Sequence, residues 1–219
     1  SNGSVNTAGP GMGADVKKRL EALRKRRIYI GDLHNHCNVT YGHGDLSDAI
    51  AAAREQLDFC SITPHAMWPD IPRMADPRLD WVIDYHKQAF RRLREGGWDK
   101  YVKAMEAANE EGRFLTFTSY ECHSMAHGDH VALCRNYDIP LLEAESVPDL
   151  KEKLRSYTVY VTPHHLGYMT GYRGYNWAAF PDGDAQTPFV EMYSRHGLAE
   201  SDMGDYDYLH DMGPRIYEG

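Results

Sequence analysis

The chain has 219 residues, enough for one domain with a sizeable core. It is 42% hydrophobic and 26% charged, an ordinary globular composition, and its formal net charge of −8 argues against a nucleic-acid backbone as partner. No apolar run approaches the roughly 18 residues that a membrane span needs. The four cysteines, Cys37, Cys60, Cys122 and Cys134, form no Cys-x-x-Cys pair, which argues against a structural zinc knuckle and for reduced, buried thiols. No stretch has the make-up of a signal peptide, and a cytoplasmic location is expected. The opening Ser1-Asn2-Gly3-Ser4 lacks Met and reads as a trimmed or engineered start.

Residues 1–13, rich in Gly, Ser and Asn, are expected to be disordered, leaving 14–219 as the domain. Residues 14–27 are expected to be helical, with Val16, Leu20 and Leu23 on one face and basic residues opposite. A strand covers 28–33. Asp45 or Ser47 can cap an alanine-rich helix over 48–55. A strand at 59–62 precedes a proline-rich loop carrying Trp68. Residues 79–111 are helical in pattern, broken at Gly96-Gly97. Strands follow at 114–120 and 130–134, then a helix over 148–156 with Ser146 as cap and Pro148 in its first turn. Further strands are expected at 158–162 and 189–193. Strands alternating mostly with helices predict a parallel α/β arrangement, a barrel.

Twelve histidines is a high count, and most fall where these strands begin or end. Asp32-Leu33-His34-Asn35-His36 closes the first apolar run. On a strand, alternate side chains share a face, so Asp32, His34 and His36 point the same way. Two imidazoles with a carboxylate behind them are what a zinc-, iron- or manganese-type site requires. Later strands add His65 after Thr63-Pro64, Glu121 and His123, Asp129-His130, His164-His165, and Glu191 with His196. His43 lies in a Gly-His-Gly turn. Barrel enzymes assemble their sites from the C-terminal ends of strands.

The order and spacing resemble the polymerase-and-histidinol-phosphatase (PHP) superfamily over about residues 28–196. Asp32-Leu33-His34-Asn35-His36 is similar to its opening motif, and Thr63-Pro64-His65 to a second that usually reads Thr-Asp-His. Glu121 stands where the superfamily has a metal-bridging glutamate. His130 stands where a histidine opens the next strand. His164 or His165 matches a later one, and the Pro-His ending, typical of a large uncharacterised branch, favours His164. The resemblance implies a distorted (β/α)7-type barrel and two or three divalent metal ions (Zn, Mn or Fe). His34, His36 and Glu121 would hold one, Glu121, His130 and His164 a second, and His43 and His65 would contribute to a third. It implies hydrolysis of a small phosphorylated substrate, with metal-activated hydroxide attacking and a histidine protonating the leaving oxygen.

Two departures stand out. Pro64 occupies the place of the motif's Asp, removing an acceptor behind the ligands. The superfamily's closing Asp-x-His has no match after residue 196, since Asp207, His210 and Asp211 lack that spacing. The chain is therefore expected to be an N-terminal portion of a longer protein, its barrel lacking the last strand.

Blander readings stand beside these. Asp32 is better placed orienting a ligand than ligating. His123 and His165 suit a hydrogen-bonding or proton-donating role near the metals. His127 is expected to be solvated, His86 and His210 to lie on the surface, Glu191 to be a buried hydrogen-bonding carboxylate, and Cys122 to be core. The aromatic stretch 167–184 could close over substrate with Arg173 on a phosphate, or pack on its own rings. Two other functions compete with phosphoester hydrolysis. An amidohydrolase-type C–N or C–O hydrolase also opens with His-x-His but often adds a bridging Lys, and no strand here ends in Lys. A non-catalytic metal-binding module is the third reading.

Overall fold

The computed structural model describes residues 13–181 and 183–200. The expectations for residues 1–12 and for Asp207, His210 and Asp211 lie outside that range. The chain divides into two compact units between Ile30 and Gly31. The first holds helix α1 (Ala14–Arg24) and, beyond it, the Arg27 guanidinium over the Tyr29 ring at 5.5 Å. The second holds everything that follows.

The second unit is mixed α/β. Strand β1 (Gly31–Asn35) starts three residues later than the apolar run suggests. Helix α2 (Leu46–Gln56) follows from Asp45, whose side chain accepts from Asn38 instead of capping the helix. Strands β2 (Phe59–Ile62) and β3 (His65–Met67) are separated by Thr63-Pro64. Proline donates no backbone hydrogen bond, so the ladder breaks there, yet the Pro64 carbonyl accepts from Glu121 N at 2.8 Å. Helix α3 (Asp80–Arg92) and helix α4 (Trp98–Ala108) are joined by a kinked turn at Glu95-Gly96, as the Gly96-Gly97 pair predicts.

Strands β4 (Leu115–Thr116) and β5 (Thr118–Cys122) divide what the sequence presents as one strand. Strand β6 is His130–Cys134, helix α5 is Val147–Lys153 and strand β7 is Val159–Pro163. Ser146 caps α5, its hydroxyl accepting from Asp149 N at 3.2 Å. A short antiparallel pair, β8 (Tyr193–Ser194) and β9 (Gly197–Leu198), ends the described chain.

The sheets run β1-β2-β4, all parallel, and β3-β5-β6-β7. Only β3–β5 is parallel in the second sheet, while β5–β6 and β6–β7 are antiparallel. The expected parallel arrangement fails here for two reasons. The link 123–129 is too short for the crossover of about a dozen residues that parallel neighbours need. The longer link 135–158 carries α5 yet returns its strand antiparallel. The expected strand at 189–193 does not form, although Val161 N donates to Gln186 O at 2.7 Å and Glu191 N to Pro163 O at 3.2 Å, laying this segment along β7. Among the described residues no closed barrel forms, and no helix is long and apolar enough to cross a membrane.

Tyr101, Tyr120, Phe114, Leu93, Met105, Leu150 and Leu154 are fully buried between the helices and sheets. A smaller cluster gathers Leu166, Tyr168, Tyr175 and Ala199. All four cysteines are free and buried, as expected from their spacing. Tyr101 ties the two sheets at their junction: its hydroxyl donates to Ile62 O at 2.5 Å and accepts from Ser119 N at 2.9 Å. Removing that hydroxyl strands the buried Ser119 N–H and leaves Ile62 O only the long contact from Ser119 Oγ at 3.4 Å, so Tyr101→Phe should lower stability by about 1–3 kcal/mol in urea unfolding, with little change in circular dichroism.

Candidate metal centre

Register brings the ligand-type residues together. His65 and Glu121 are direct partners across the parallel β3–β5 pair, so they share a face. The ladder between β1 and β2 shifts register between Asp32 and Asn35, the kind of irregularity that re-aims side chains beside sites. His34 and His36 then turn toward each other, their Nε2 atoms 3.2 Å apart. His36 Nε2 lies 3.6 Å and His65 Nε2 3.2 Å from Glu121 Oε2. His164, just past β7, brings its Nε2 to 2.8 Å from Glu121 Oε1 and its ring to 4.3 Å from that of His34.

The outer nitrogens are held in place. His34 Nδ1 is 2.7 Å from Glu191 Oε2, and His36 Nδ1 donates to Thr63 O at 2.8 Å. With the protons on Nδ1, both Nε2 lone pairs face each other. Two nitrogens bound to one zinc-like ion at tetrahedral angles would lie roughly 3.4 Å apart, close to the 3.2 Å seen here. His65 Nδ1 is 3.0 Å from the Thr40 hydroxyl. The Glu121 carboxylate is buried, and among the described residues its Oε2 has no hydrogen-bond partner. A buried carboxylate oxygen without a hydrogen bond, facing the His36 and His65 nitrogens, fits a divalent cation. The ligand atoms of His34, His36 and Glu121 lie within 4.8 Å of one another, as do those of His65, Glu121 and His123, and of His34, His164 and Glu191.

Electrostatics favour the ligating protonation states of Glu121, His65 and His164. Burial alone would raise the Glu121 carboxyl, but His123, His164 and His65 outweigh it and hold it well below the usual carboxylate range. Burial lowers His65 to about 2, against the pull of Glu121, and lowers His164 to about 3 with help from His165 and His34. Both are therefore neutral at pH 7. His34 goes the other way: burial lowers it, but the hydrogen bond to Glu191 and the charge of Glu121 together raise it. Burial would raise Glu191, and the His34 hydrogen bond brings it down to about 2.

A second hub lies beside the first. Asp129 is fully buried, and its Oδ2 is 2.6 Å from His123 Nδ1, 3.1 Å from His165 Nε2 and 3.0 Å from Arg173 Nε, while its Oδ1 accepts from Ser124 N at 2.9 Å. Arg173 reaches Asp129 because two loops nearly touch. A Cβ on Gly128 would lie 2.9 Å from Gly174, and one on Gly174 only 1.8 Å from Tyr168 O. The arginine also lies over Trp68, 5.2 Å from the ring centroid. His123 Nε2 is 2.7 Å from the Tyr41 hydroxyl, so both nitrogens of His123 are engaged, as a supporting residue's would be.

Several expected residues stand elsewhere. His130 is opposite Cys122 in the β5–β6 pair, whereas Glu121 is opposite Val131. Directly paired residues share a face, so His130 points away from Glu121, toward Tyr175 and Phe180. His43 is exposed in its turn and joins no ligand group among the described residues. Asp32 accepts the backbone N–H of His34 at 3.1 Å, and the imidazole is oriented by Glu191 instead. His165 binds Asp129 where His164 meets Glu121. His127 is not solvated at Nδ1, which is buried with no hydrogen-bond partner among the described residues.

A cavity of about 960 Å³ opens on this cluster, lined by His34, His36, His65, Glu121, His164, Arg173, His196 and Asp32 among others. His86, read from sequence as a surface residue, lines it too, its Nδ1 donating to Val82 O at 2.7 Å and its ring 5.0 Å from that of Tyr41. Sequence reading also missed Tyr41 and Asp129 as participants. Tyr41 carried no signal, and Asp129 was visible only as the neighbour of His130. The sequence matches no protein-family model and no curated protein.

Replacing His34 or Glu121 by Ala, separately, should each lower the metal content measured by plasma mass spectrometry, and unchanged content in both would refute the site. Glu191→Gln should weaken metal affinity about 10–100-fold by releasing His34. In chelator-treated protein the same variant tests the His34–Glu191 pair. The depressed Glu191 stabilises above its ordinary 4.5 and loses that as pH falls toward about 2, while the raised His34 stabilises below 6.5 and loses that as pH rises through its folded value. The stability gap between wild type and variant should therefore be widest between 4.5 and 6.5.

Proposed function

We propose that this protein is a metal-dependent hydrolase of phosphoesters, related to the PHP superfamily and built on a distorted barrel of that kind. The observation that carries the reading is the convergence of His36 and His65 Nε2 atoms on the buried Glu121 Oε2, which has no hydrogen bond among the described residues, with His34 Nε2 beside that of His36. A divalent cation held by these residues, with His164 beside them, would supply Lewis acidity toward a phosphoryl oxygen and acidify a water molecule.

The chain's own side chains would then divide the remaining work. Glu191, Thr63 O and Thr40 orient the three ligating imidazoles. Arg173 faces the cavity with its guanidinium fixed by Asp129 and Trp68, so it meets an anionic substrate oxygen without losing further side-chain freedom. Its charge is secure, since Asp129 outweighs the effect of burial and raises its pKa. His196 lines the same cavity with Nδ1 2.7 Å from the Tyr168 hydroxyl. Burial, with His165 and Arg173, lowers it to about 4, so at pH 7 it is a neutral group suited to accept or relay a proton.

The amidohydrolase alternative gains nothing from the structure. The buried Lys151 is tied to Asp184 and Thr187 and is not among the cavity's lining residues. The deciding experiment is a panel of phosphoesters, carboxylic esters and amides offered to zinc-, manganese- and iron-loaded protein. Turnover of phosphoesters alone supports the proposal, and bound metal with no turnover across the panel favours a binding module. In the active protein Arg173→Met should raise KM about tenfold or more through loss of a charged hydrogen bond, with a smaller effect on kcat.

A further inference from the structure

The cavity has a second end whose chemistry the metal cluster does not use. In β6, Val131 is paired with Glu121 on one side and Thr162 on the other, and Leu133 with Ser119 and Tyr160. Directly paired residues share a face, so Val131 and Leu133 continue the face that carries Glu121. Two residues along a strand is roughly 7 Å. Over that step the lining changes from carboxylate and imidazole to aliphatic.

The opposite wall has the same character. Phe59 on β2 lies against Gly31 at the start of β1, so closely that a Cβ there would come within 2.1 Å of the ring. Gly31 thus leaves the space in which Phe59 forms a cavity wall. Phe189, beyond β7, supplies a third side: it lines the cavity, is 40% exposed, and packs edge-on to Tyr160 at 5.7 Å between centroids. Large apolar side chains left open beside a polar cluster mark a place where apolar matter binds.

We infer that this trough is a substrate subsite for a hydrocarbon or aryl group, so that the ligand is an amphiphilic phosphoester whose anionic head sits at the histidine cluster. The occupant follows from continuity. The trough and the candidate metal centre line one cavity of about 960 Å³, so a molecule whose head reaches Glu121 and Arg173 has its remaining atoms between Phe59, Val131, Leu133 and Phe189. Val131 and Leu133 are nearly covered already, so the open apolar surface is that of Phe59 and Phe189, and a small polar ester would leave it in water.

The inference rests on the hydrolase reading for the word substrate, but the experiment separates the two. Alkylphosphonates from methyl to octyl, which are not hydrolysed, are titrated calorimetrically into the zinc-loaded full chain. Affinity should rise roughly three- to fourfold per methylene until the trough is filled, and inorganic phosphate should compete with octylphosphonate. Leu133→Ser should flatten the chain-length dependence while methylphosphonate affinity stays the same. Gly31→Val, which displaces Phe59, should do likewise and guards against misfolding of the first variant. Affinity independent of chain length overturns the inference, as does octylphosphonate binding that phosphate cannot displace. So does a dimer on gel filtration whose dissociation is needed before octylphosphonate binds. Chain-length-dependent binding with no ester turned over would leave the subsite standing and reject the hydrolase. Turnover of short phosphoesters with no chain-length dependence would do the reverse.

Discussion

A carboxylate removed from water must find positive charge or donors, and the Glu121 carboxylate is almost wholly removed from water. One oxygen is 2.8 Å from the His164 ring. The other has no hydrogen-bond partner among the described residues and faces His36 and His65. Much of the second unit can be understood as the framework that makes this arrangement possible. Strand β5 holds Glu121 at the centre of its sheet, β3 delivers His65 in register with it, and the register shift in β1 swings His34 and His36 to the same place. Burial lowers the neighbouring His65 and His164 imidazoles, and Glu121 is held well below the usual carboxylate range, the combination in which a divalent cation is bound most strongly.

The second buried carboxylate solves the same problem differently. Asp129 is neutralised by the fixed cation of Arg173 and by hydrogen bonds with His123 and His165. This makes Asp129 a structural counterpart to Glu121. One carboxylate keeps an oxygen open and the other is saturated. The saturated one locks the loop 123–129 and the Arg173 loop together at the cavity edge, where the backbone at Gly128 lies too close to Gly174 for a side chain to fit. The arginine's useful position is therefore a consequence of packing, since its charge is held by Asp129 before any ligand arrives.

Seen from the cavity, polar and apolar walls are segregated along a single sheet face. Strand periodicity alone accounts for that: Glu121, Val131 and Leu133 share a face through antiparallel register, and the polar-to-apolar change lies along the strand. The same periodicity turns His130 away and places it among Tyr175 and Phe180.

Local chemistry was legible from the sequence. The expected ranges of β2, β6 and β7 hold to within a residue, Ser146 marked the start of α5, and Gly96-Gly97 marked the break between α3 and α4. His34, His36, His65, Glu121 and His164 were visible because ligand-type residues gathered at strand ends. Pairing was not legible. Whether a strand runs parallel or antiparallel depends on partners distant in the chain, so the sequence suggested a parallel barrel where β5, β6 and β7 are antiparallel. His130 was misplaced for the same reason, because a register that sets its face involves Cys122 on another strand. His86 on a helix, Tyr41 in a turn and Asp129 beside His130 carry no local mark of their role. Sequence determined which side chains could bind a metal. Tertiary structure decided which of them meet, because only the fold sets how strands pair and which loops lie close enough for Arg173 to reach Asp129.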